Sequence, residues 1–340
     1  MHRSPVLPLA AAPARLRRRH LLQGAAALAG GLLSGVARTD GYPSRPIRLV
    51  VPYAPGGGPD VLTRQFTPRI GKALGQTIVV DNKVGAGGII AAEHAAQQPP
   101  DGYTWLLGAS THLTQKLLQP KSQFDPLKSF VHVLRLSTSP SLLVVSAASR
   151  HTSVAQLLAA AKAEPGKLNY GSGGIGSAAH LAAAALTHQA GVDCAHIPYR
   201  GSVELGAALE SGDIHFAIPT ASTVVPLIQS GRLRALAISS AQRDAAWPDL
   251  PTLREITGSD DLALVAWSGL WLPAGTPQAI VRQLFEVHRT VYAEPDIVKA
   301  NAALGVTVAM SESPAEFSEF VASEYAKLAR IVKASGVVVG

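Results

Sequence analysis

The sequence predicts an α/β protein with two lobes, each a mainly parallel sheet flanked by helices. Three observations carry this prediction. Short β-branched and aliphatic segments alternate with segments of helical spacing from residue 42 to residue 107, and the alternation starts again at residue 167. An extended apolar segment at 134–147 lies between the two series, and another at 262–272 follows the second series. We expect these two segments to cross between the lobes and to act as a hinge.

The first lobe is expected to take residues 42–140 and 264–340. The pattern predicts, in chain order, strand 47–51, helix 60–74, strand 77–80, helix 87–97 and strand 104–107. The Ser-Thr-Ser-Pro run at 137–140 predicts a break in the first crossing segment. Two closing helices start from Pro277 and Pro314, and Ser313 with Glu316 forms a capping pair for the last one.

The second lobe is expected to take residues 141–263. A helix over 153–163 has Gln156 in capping-box position and ends before Pro165. The elements predicted after it are strand 167–170, helix 177–190, and strands 194–199, 214–218 and 233–238.

A run of three glycines, Gly56, Gly57 and Gly58, separates the first strand from the first helix. Such a loop lets backbone N–H groups face one point at a helix N-terminus, where the helix dipole favours an anion. A tight turn that binds nothing is the alternative, and this stretch alone leaves both open. An ionised Asp60 cannot contact an anion directly, so we expect it to accept hydrogen bonds and hold the loop in shape.

A second glycine loop, Gly171 to Gly176, matches the spacing of a dinucleotide fingerprint. The match is weak because Asp193 precedes the next strand, whereas a ribose-binding carboxylate should end it. Ser172 could be imagined as a hydrolase nucleophile, but no G-x-S-x-G elbow frames it. The rival function is therefore an α/β enzyme, nucleotide-dependent or a serine hydrolase. The other reading gives the loop anion-binding hydroxyls from Ser172 and Ser177, with Ser177 also capping its helix.

Charge and composition exclude several classes of protein. Five of the 30 Lys and Arg residues lie in the first 37 residues, which contain no Asp or Glu, so the formal charge of +7 falls to +2 for the rest. A balanced body without a basic stripe gives no footprint for nucleic acid. Cys194 is the only cysteine, which rules out an intramolecular disulfide. The histidines are scattered and no Cys/His spacing suggests zinc, so the sequence predicts no metal site.

Residues 1–37 have the layout of an export signal. Arg17, Arg18 and Arg19 precede an apolar, glycine-bearing stretch, and Gly35-Val-Ala37 supplies small residues for a signal peptidase. The paired arginines resemble a twin-arginine signal. We therefore expect cleavage of the signal and a mature protein in the periplasm.

Several blocks in order resemble the Bug family, the extracytoplasmic solute receptors of tripartite tricarboxylate transporters. The likeness runs from Tyr42 to the C-terminus. The blocks are YPSRPIRLVVPYAPGGG at 42–58, GAGG at 85–88, PDGY at 100–103, PGKLNYG at 165–171, IPYRGS at 197–202, GRLRALA at 231–237 and PAGTP at 273–277.

The resemblance implies a two-lobed periplasmic binding protein of the type II, Venus-flytrap kind, without cofactor or catalysis. It implies a small organic carboxylate as the ligand, held between the lobes by backbone amides, hydroxyls and ordered water. Membrane subunits of a tripartite transporter are the implied partner, and we expect the receptor to be a monomer. Residue by residue, the resemblance points to a set of ligand-binding positions, namely Tyr53, Gly57, Gly58, Asp60, Ser110, Thr111, Ser172, Ser177 and Thr220.

Four departures from the family pattern bear on specificity. Pro59 stands where a Thr is usual, and Gly173 and Ala178 each replace a common Ser. Pro219-Thr220 stands where many members carry an Asp-Asn pair. The missing Asp disfavours an amino-acid ligand, because that carboxylate suits an ammonium group. A ligand with a larger apolar body is the resulting hypothesis.

Overall fold

Eleven strands and eleven helices organise residues 41–335, the part of the chain that the computed structural model describes. The predicted export signal at 1–37 lies outside these residues. The strands are β1 (Ile47–Val51), β2 (Ile78–Asn82), β3 (Thr104–Ala109), β4 (Phe130–Pro140), β5 (Leu142–Ser146), β6 (Asn169–Ser172), β7 (Ala195–Pro198), β8 (Phe216–Ala217), β9 (Leu233–Ile238), β10 (Val265–Pro273) and β11 (Thr307–Val308).

The helices lie between these strands and after them. They are α1 (Gly58–Leu74), α2 (Ile89–Ala96), α3 (Ser110–Leu118), α4 (Val154–Ala163), α5 (Ala178–Ala190), α6 (Leu205–Ser211), α7 (Ala221–Gln229), α8 (Leu253–Thr257), α9 (Gln278–Tyr292), α10 (Pro295–Ala303) and α11 (Pro314–Ser335). No helix among the residues described combines the length and the hydropathy that a membrane crossing requires.

The strands form two sheets, with the orders β11-β4-β10-β3-β1-β2 and β7-β6-β8-β5-β9. In the first sheet β1 is parallel to β2 and β3, whereas β10 is antiparallel to β3 and β4. In the second sheet β6 is parallel to β7 and β8, whereas β5 is antiparallel to β8 and β9. The sheets are thus mixed rather than mainly parallel. The antiparallel strands include β5 and β10, the first strands that the chain forms after it crosses from one sheet to the other.

The chain passes between the sheets twice. Ser141 alone separates β4 in the first sheet from β5 in the second, and the segment before β10 returns the chain to the first sheet. This path supports a first lobe of 42–140 with 264–340 and a second lobe of 141–263, and those bounds stay a prediction. Because parallel strands end at the same edge of a sheet, the loops after β1, β3 and β6 can meet in the space between the lobes.

Two local predictions differ from the structure. The predicted break at 137–140 was wrong, because β4 continues through these residues. Pairing with β10 on one side and β11 on the other satisfies the backbone there, which outweighs the weak strand preference of serine. Helix α3 was missed, because it starts directly after β3 and its N-cap residue, Ala109, is not one of the residue types that signal a helix start.

The cores lie between each sheet and its helices. Ile47, Leu49 and Trp105 are buried with Leu284 of α9 in the first lobe. Helix α11 has its predicted cap, since the Glu316 N–H donates to the Ser313 hydroxyl over 3.1 Å. The predicted apolar face of this helix packs against α3, α5 and β4, and therefore touches both lobes. The C-terminal helix thus helps to hold the two lobes together.

Candidate ligand-binding cleft

A cavity of about 630 Å³ lies between the two sheets, and residues from both lobes line it. The first lobe contributes the loop after β1, the glycine loop at 85–88 and the end of β3. The second lobe contributes the glycine loop after β6, the segment 199–203 and the start of α7. This volume is in the range of pockets that bury a small organic ligand.

Four helices begin at this cavity. Its lining includes the first residues or the cap of each one, namely Gly58 and Pro59 of α1, Ser110 and Thr111 of α3, Ser177 and Ala178 at α5, and Thr220 and Ser222 at α7. The N–H groups of Gly58 and Ala178 have no acceptor among the described residues. The first turn of a helix carries unpaired donors and the positive end of its dipole. The cleft therefore offers convergent hydrogen-bond donors.

The charges of the lining agree with this. Among the described residues that line the cavity none is acidic, and Arg200 is the one charged side chain. Arg200 is exposed and has no ion-pair partner in the described part of the chain. With four helix N-termini and one cation around it, the cavity favours a negatively charged group over a cation.

The first glycine loop is held from behind by Asp60, which is 1% exposed. Its carboxylate accepts from the Gly56 N–H at 2.9 Å, from Arg64 Nε at 2.9 Å and from Asn82 Nδ2 at 2.8 Å. Burial raises the pKa of the Asp60 carboxyl, but these hydrogen bonds outweigh it and leave that pKa below its ordinary value. Asp60 thus holds the loop as expected, and it does not line the cavity.

The second glycine loop is held by neutral groups. The Gly174 N–H donates to the Ser172 hydroxyl at 3.1 Å, and that hydroxyl also lies 2.7 Å from His196 Nε2. The Gly176 N–H donates to His180 Nδ1 at 3.0 Å. Ser172 is fully buried and does not line the cavity, so in this structure it positions the loop. Its assignment as a ligand contact stays a prediction.

Three rings stack beneath that loop. The His180 and His196 rings are 3.9 Å apart at their centroids and inclined by only 6°, and Tyr170 stacks on His196 at 5.1 Å. Burial, with a smaller contribution from His196, lowers the pKa of His180 to about 4. Ser177 caps α5 as predicted, accepting from the His180 N–H at 3.3 Å. His180 therefore packs and supports the loop rather than facing the ligand.

The other predicted residues do line the cavity, and the structure brings them together from four segments of the chain. They are Tyr53, Gly57, Gly58, Ser110, Thr111, Ser177 and Thr220. Burial raises the pKa of Tyr53 to about 12, so its hydroxyl stays protonated as a donor. That hydroxyl has no hydrogen-bond partner among the described residues. Their assignment as ligand contacts stays a prediction.

Sequence reasoning missed the wall of the cavity next to the crossing strands. Ser137 and Ser139 of β4 line it with Ser268 of β10, and the Ser137 and Ser268 hydroxyls are 2.8 Å apart. The signal was present, because serines two apart on a strand point to the same face. Reading 137–140 as a break hid this period. The lining also has an apolar part, which includes Leu62 and Phe66.

The two lobes approach each other closely at Gly58 and Ser222, which both line the cavity. A Cβ atom added at Gly58 would clash with the backbone and Cβ of Ser222 in the second lobe. A Cβ at the neighbouring Gly57 would find only ordinary or slightly tight contacts, 3.3 Å from the Ala54 oxygen and 3.7 Å from Val203. Gly58 therefore permits the close approach of the lobes, whereas Gly57 does not limit it.

The geometry gives the enzymatic alternative no support. Ser172 is fully buried, so it cannot act as a nucleophile on a substrate in the cavity. Strand β7, which follows α5, begins at Ala195. Asp193 thus precedes this strand and does not stand at its end, where a ribose-binding carboxylate would be needed. Within residues 41–335 no group of three or more His, Cys, Asp or Glu side chains is placed to hold a metal ion.

Comparison with known families and proteins gives consistent matches. The model of the tripartite tricarboxylate transporter family receptor matches residues 62–337. A UPF0065 protein in the tcbD-tcbE intergenic region of Pseudomonas sp. strain P51 is 36% identical over 87% of this chain and 88% of its own length. Protein BugT of Bordetella pertussis strain Tohama I is 33% identical over 87% of this chain and 91% of its own length.

Solved structures share the fold. A protein of R. palustris solved with adipate has a TM-score of 0.82 and 31% identity, covering 87% of this chain and 99% of that one. MatC from Rhodopseudomonas palustris with bound malate has a TM-score of 0.80 and 30% identity, covering 86% of this chain and 100% of that one. These matches confirm the predicted two-lobed binding-protein fold.

Proposed function

The chain belongs to the tripartite tricarboxylate transporter receptor family, and we propose that it captures a small organic carboxylate in the cleft between its lobes. Like its relatives in this family, it is a solute-binding receptor and not an enzyme. The Bug resemblance found in the sequence is confirmed by these matches.

One observation carries the choice of ligand class. The cleft is bordered by the N-termini of four helices and contains no acidic side chain among its described lining residues. A carboxylate can accept hydrogen bonds from several such donors at once, and the helix dipoles add to its binding. An ammonium group would find no carboxylate partner there.

The related structures support the same class. The neighbours solved with adipate and malate hold small carboxylates, and this chain shares their fold over most of its length. The apolar wall at Leu62 and Phe66 suits a ligand with a carbon chain or a ring between its polar ends. The serine hydroxyls of β4 and β10, which also line the cavity, can bind a second polar group of the ligand.

A thermal-shift and calorimetry panel tests the proposal. We expect adipate, malate or a related carboxylate to raise the melting temperature, because a ligand that binds only the folded state stabilises it. The matching neutral amides are the controls and should have no effect. Stabilisation by NAD or ATP alone, or equal binding of acid and amide, would contradict the proposal.

The proposal extends to the place and partners of the receptor. We propose that residues 1–37 direct export, that the mature chain acts as a monomer in the periplasm, and that it passes its ligand to membrane subunits of a tripartite transporter or serves as a sensor input. Fractionation of cells, with mass spectrometry of the mature N-terminus, tests the export step. Light scattering after gel filtration tests the monomer. Capture of membrane subunits by the liganded receptor, and not by the empty one, tests delivery.

A further inference from the structure

The side chain of Gln115 fills the space where the two lobes meet behind the cleft. This residue is fully buried in helix α3 and does not line the cavity. Its Nε2 donates to the Ile175 carbonyl oxygen over 2.7 Å, and its Oε1 accepts from Gln119 Nε2 over 3.1 Å. An amide of the first lobe is thus bonded to the backbone of the second glycine loop.

The same amide contacts glycine loops of both lobes. A Cβ atom added at Gly87, in the first lobe, or at Gly176, in the second, would clash with the Gln115 side chain. Both glycines also have positive φ angles, of 62° and 75°, which disfavour other residues. The two loops therefore approach each other with the Gln115 amide as the spacer between them.

This bond is unusual in its position. Among the described residues, three side-chain hydrogen bonds join 141–263 to the rest of the chain. Two of them, from Ser239 to Leu264 and from Lys327 to Ala263, lie at the second crossing between the lobes. Within residues 41–335, only the side-chain bond from Gln115 to Ile175 joins the lobes away from the crossings, beside loops that line the cleft.

We infer that Gln115 is a positioning residue for ligand capture, and this inference rests on the proposed carboxylate-binding function. The amide holds the Ile175 carbonyl toward α3, away from the cavity side of the loop. An acceptor pointing into the cleft would repel a carboxylate, whereas the N–H groups that follow at Ala178 and Ala179 attract it. The hydrogen bond from Gln115 to Ile175 thus selects the orientation of the second glycine loop that presents N–H donors to the cavity. Gln115 does this without contacting the ligand.

Gln115→Leu removes the bond with little change in volume, and Gln98→Leu is the matched control. Gln98 also donates its side-chain amide to a backbone carbonyl, that of His94 at 3.1 Å, but joins no lobes. Hydrogen exchange of the unliganded proteins gives a readout that needs no ligand. We expect faster exchange over 171–180 in Gln115→Leu alone. Adipate or malate, whichever the wild type binds, should bind about tenfold more weakly, since one buried carbonyl loses its donor.

Gln115→Glu is a second variant of the same shape, in case the leucine variant does not fold. Its carboxylate would face the Ile175 carbonyl and should release the loop at neutral pH. Unchanged exchange over 171–180 in the variants that fold would overturn the inference. If the variants exchange faster but the wild type binds no carboxylate, the role of the Gln115–Ile175 hydrogen bond in holding the loop would stand and the proposed function would be refuted. Equal loss of affinity in Gln98→Leu would also overturn it.

Discussion

The two glycine loops that face each other across the cleft free their backbone donors by different means. Behind the first loop lies a charge: the buried Asp60 carboxylate accepts from the loop and from Arg64 and Asn82. Behind the second loop lie neutral groups, the Ser172 hydroxyl and the His180 imidazole. In both cases the supporting side chain is directed away from the cavity, and the start of the next helix lines it.

The difference shows how a cleft can bind an anion without losing its own stability. The carboxylate of Asp60 is matched by three donors, so it does not project negative charge into the site. The second loop needs no counter-ion, because the Ser172 hydroxyl is neutral and burial lowers the pKa of His180 and of His196, which keeps both imidazoles uncharged near neutral pH. The loops also reach the opposite lobe differently, the first through the Gly58 main chain and the second through Gln115.

The largest expected effect is at the main-chain contact of the first loop. Gly58→Ala places a Cβ against Ser222, so the lobes cannot close as they do here. Overpacking of this kind predicts a loss of carboxylate affinity on the order of 100-fold. Isothermal calorimetry with the best acid of the panel measures it. Gly58→Asp should be at least as severe, since it adds an anion beside the donors.

Gly57→Ala is the matched control for this contact. The added methyl lies at ordinary or slightly tight distances from its neighbours, and the backbone of Gly57, with φ of −70°, accepts alanine. Its affinity should stay within a few-fold of the wild type. If both alanine variants bind normally, the lobes do not need this approach to hold the ligand.

The next effect concerns the charge behind the first loop. Asp60→Asn keeps the shape of the side chain but leaves one of its donors facing an NH₂ group. Loss of hydrogen bonds to a charged group predicts a fall in the free energy of unfolding of about 2 kcal/mol. Urea denaturation measures this, and carboxylate affinity should fall with it. An unchanged stability would show that the charge has no part in holding the loop.

The next prediction concerns the loss of stability in acid that comes from His180, which supports the second loop. The pKa of His180 is about 4 in the folded protein, below the ordinary 6.5 of the unfolded chain. The unfolded state therefore binds more protons, and stability present above about pH 6.5 is lost as the pH falls toward 4. His180→Asn, which keeps an acceptor for the Gly176 N–H, should reduce this slope by up to about 1.4 kcal/mol per pH unit.

Urea unfolding of wild type and variant at pH 7, 5.5 and 4.5 measures that slope. Other buried histidines, His112, His132 and His288, also have their pKa lowered to about 4 by burial, so the variant should still lose some stability in acid. Identical slopes in the two proteins would show that His180 does not take part.

The smallest expected effect is at Arg200, the one charged side chain among the described residues that line the cavity. Arg200→Gln should weaken a dicarboxylate such as adipate by no more than about fivefold, because an exposed ion pair contributes up to about 1 kcal/mol. Hexanoate, with one carboxylate, should change less if Arg200 meets the second acid group. Arg282→Gln is the control, with the same change in charge at an exposed position outside the cavity. Equal effects of the two substitutions would reduce Arg200 to a general electrostatic role.

Much of this architecture could be predicted from local pattern. The alternation of strands and helices, the caps at Ser177 and Ser313 and the supporting role of Asp60 all depend on residues close in the chain. Helix α3 and the unbroken β4 could not be predicted in this way. Their stability comes from packing and from pairing with strands that are distant in sequence, which local propensity does not report.

By itself the sequence determined two α/β lobes, two glycine loops before helices, and a resemblance to carboxylate receptors. Those features follow from short-range periodicity, from the backbone freedom of glycine and from motifs of a few residues each. Only the tertiary structure decided which groups face the ligand, because that depends on how residues far apart in the chain are brought together. It turned Ser172 into a support and added Ser137 and Ser139 to the wall. It also placed the Gln115 side chain between Gly87 and Gly176, which lie 28 and 61 residues away from it in the chain.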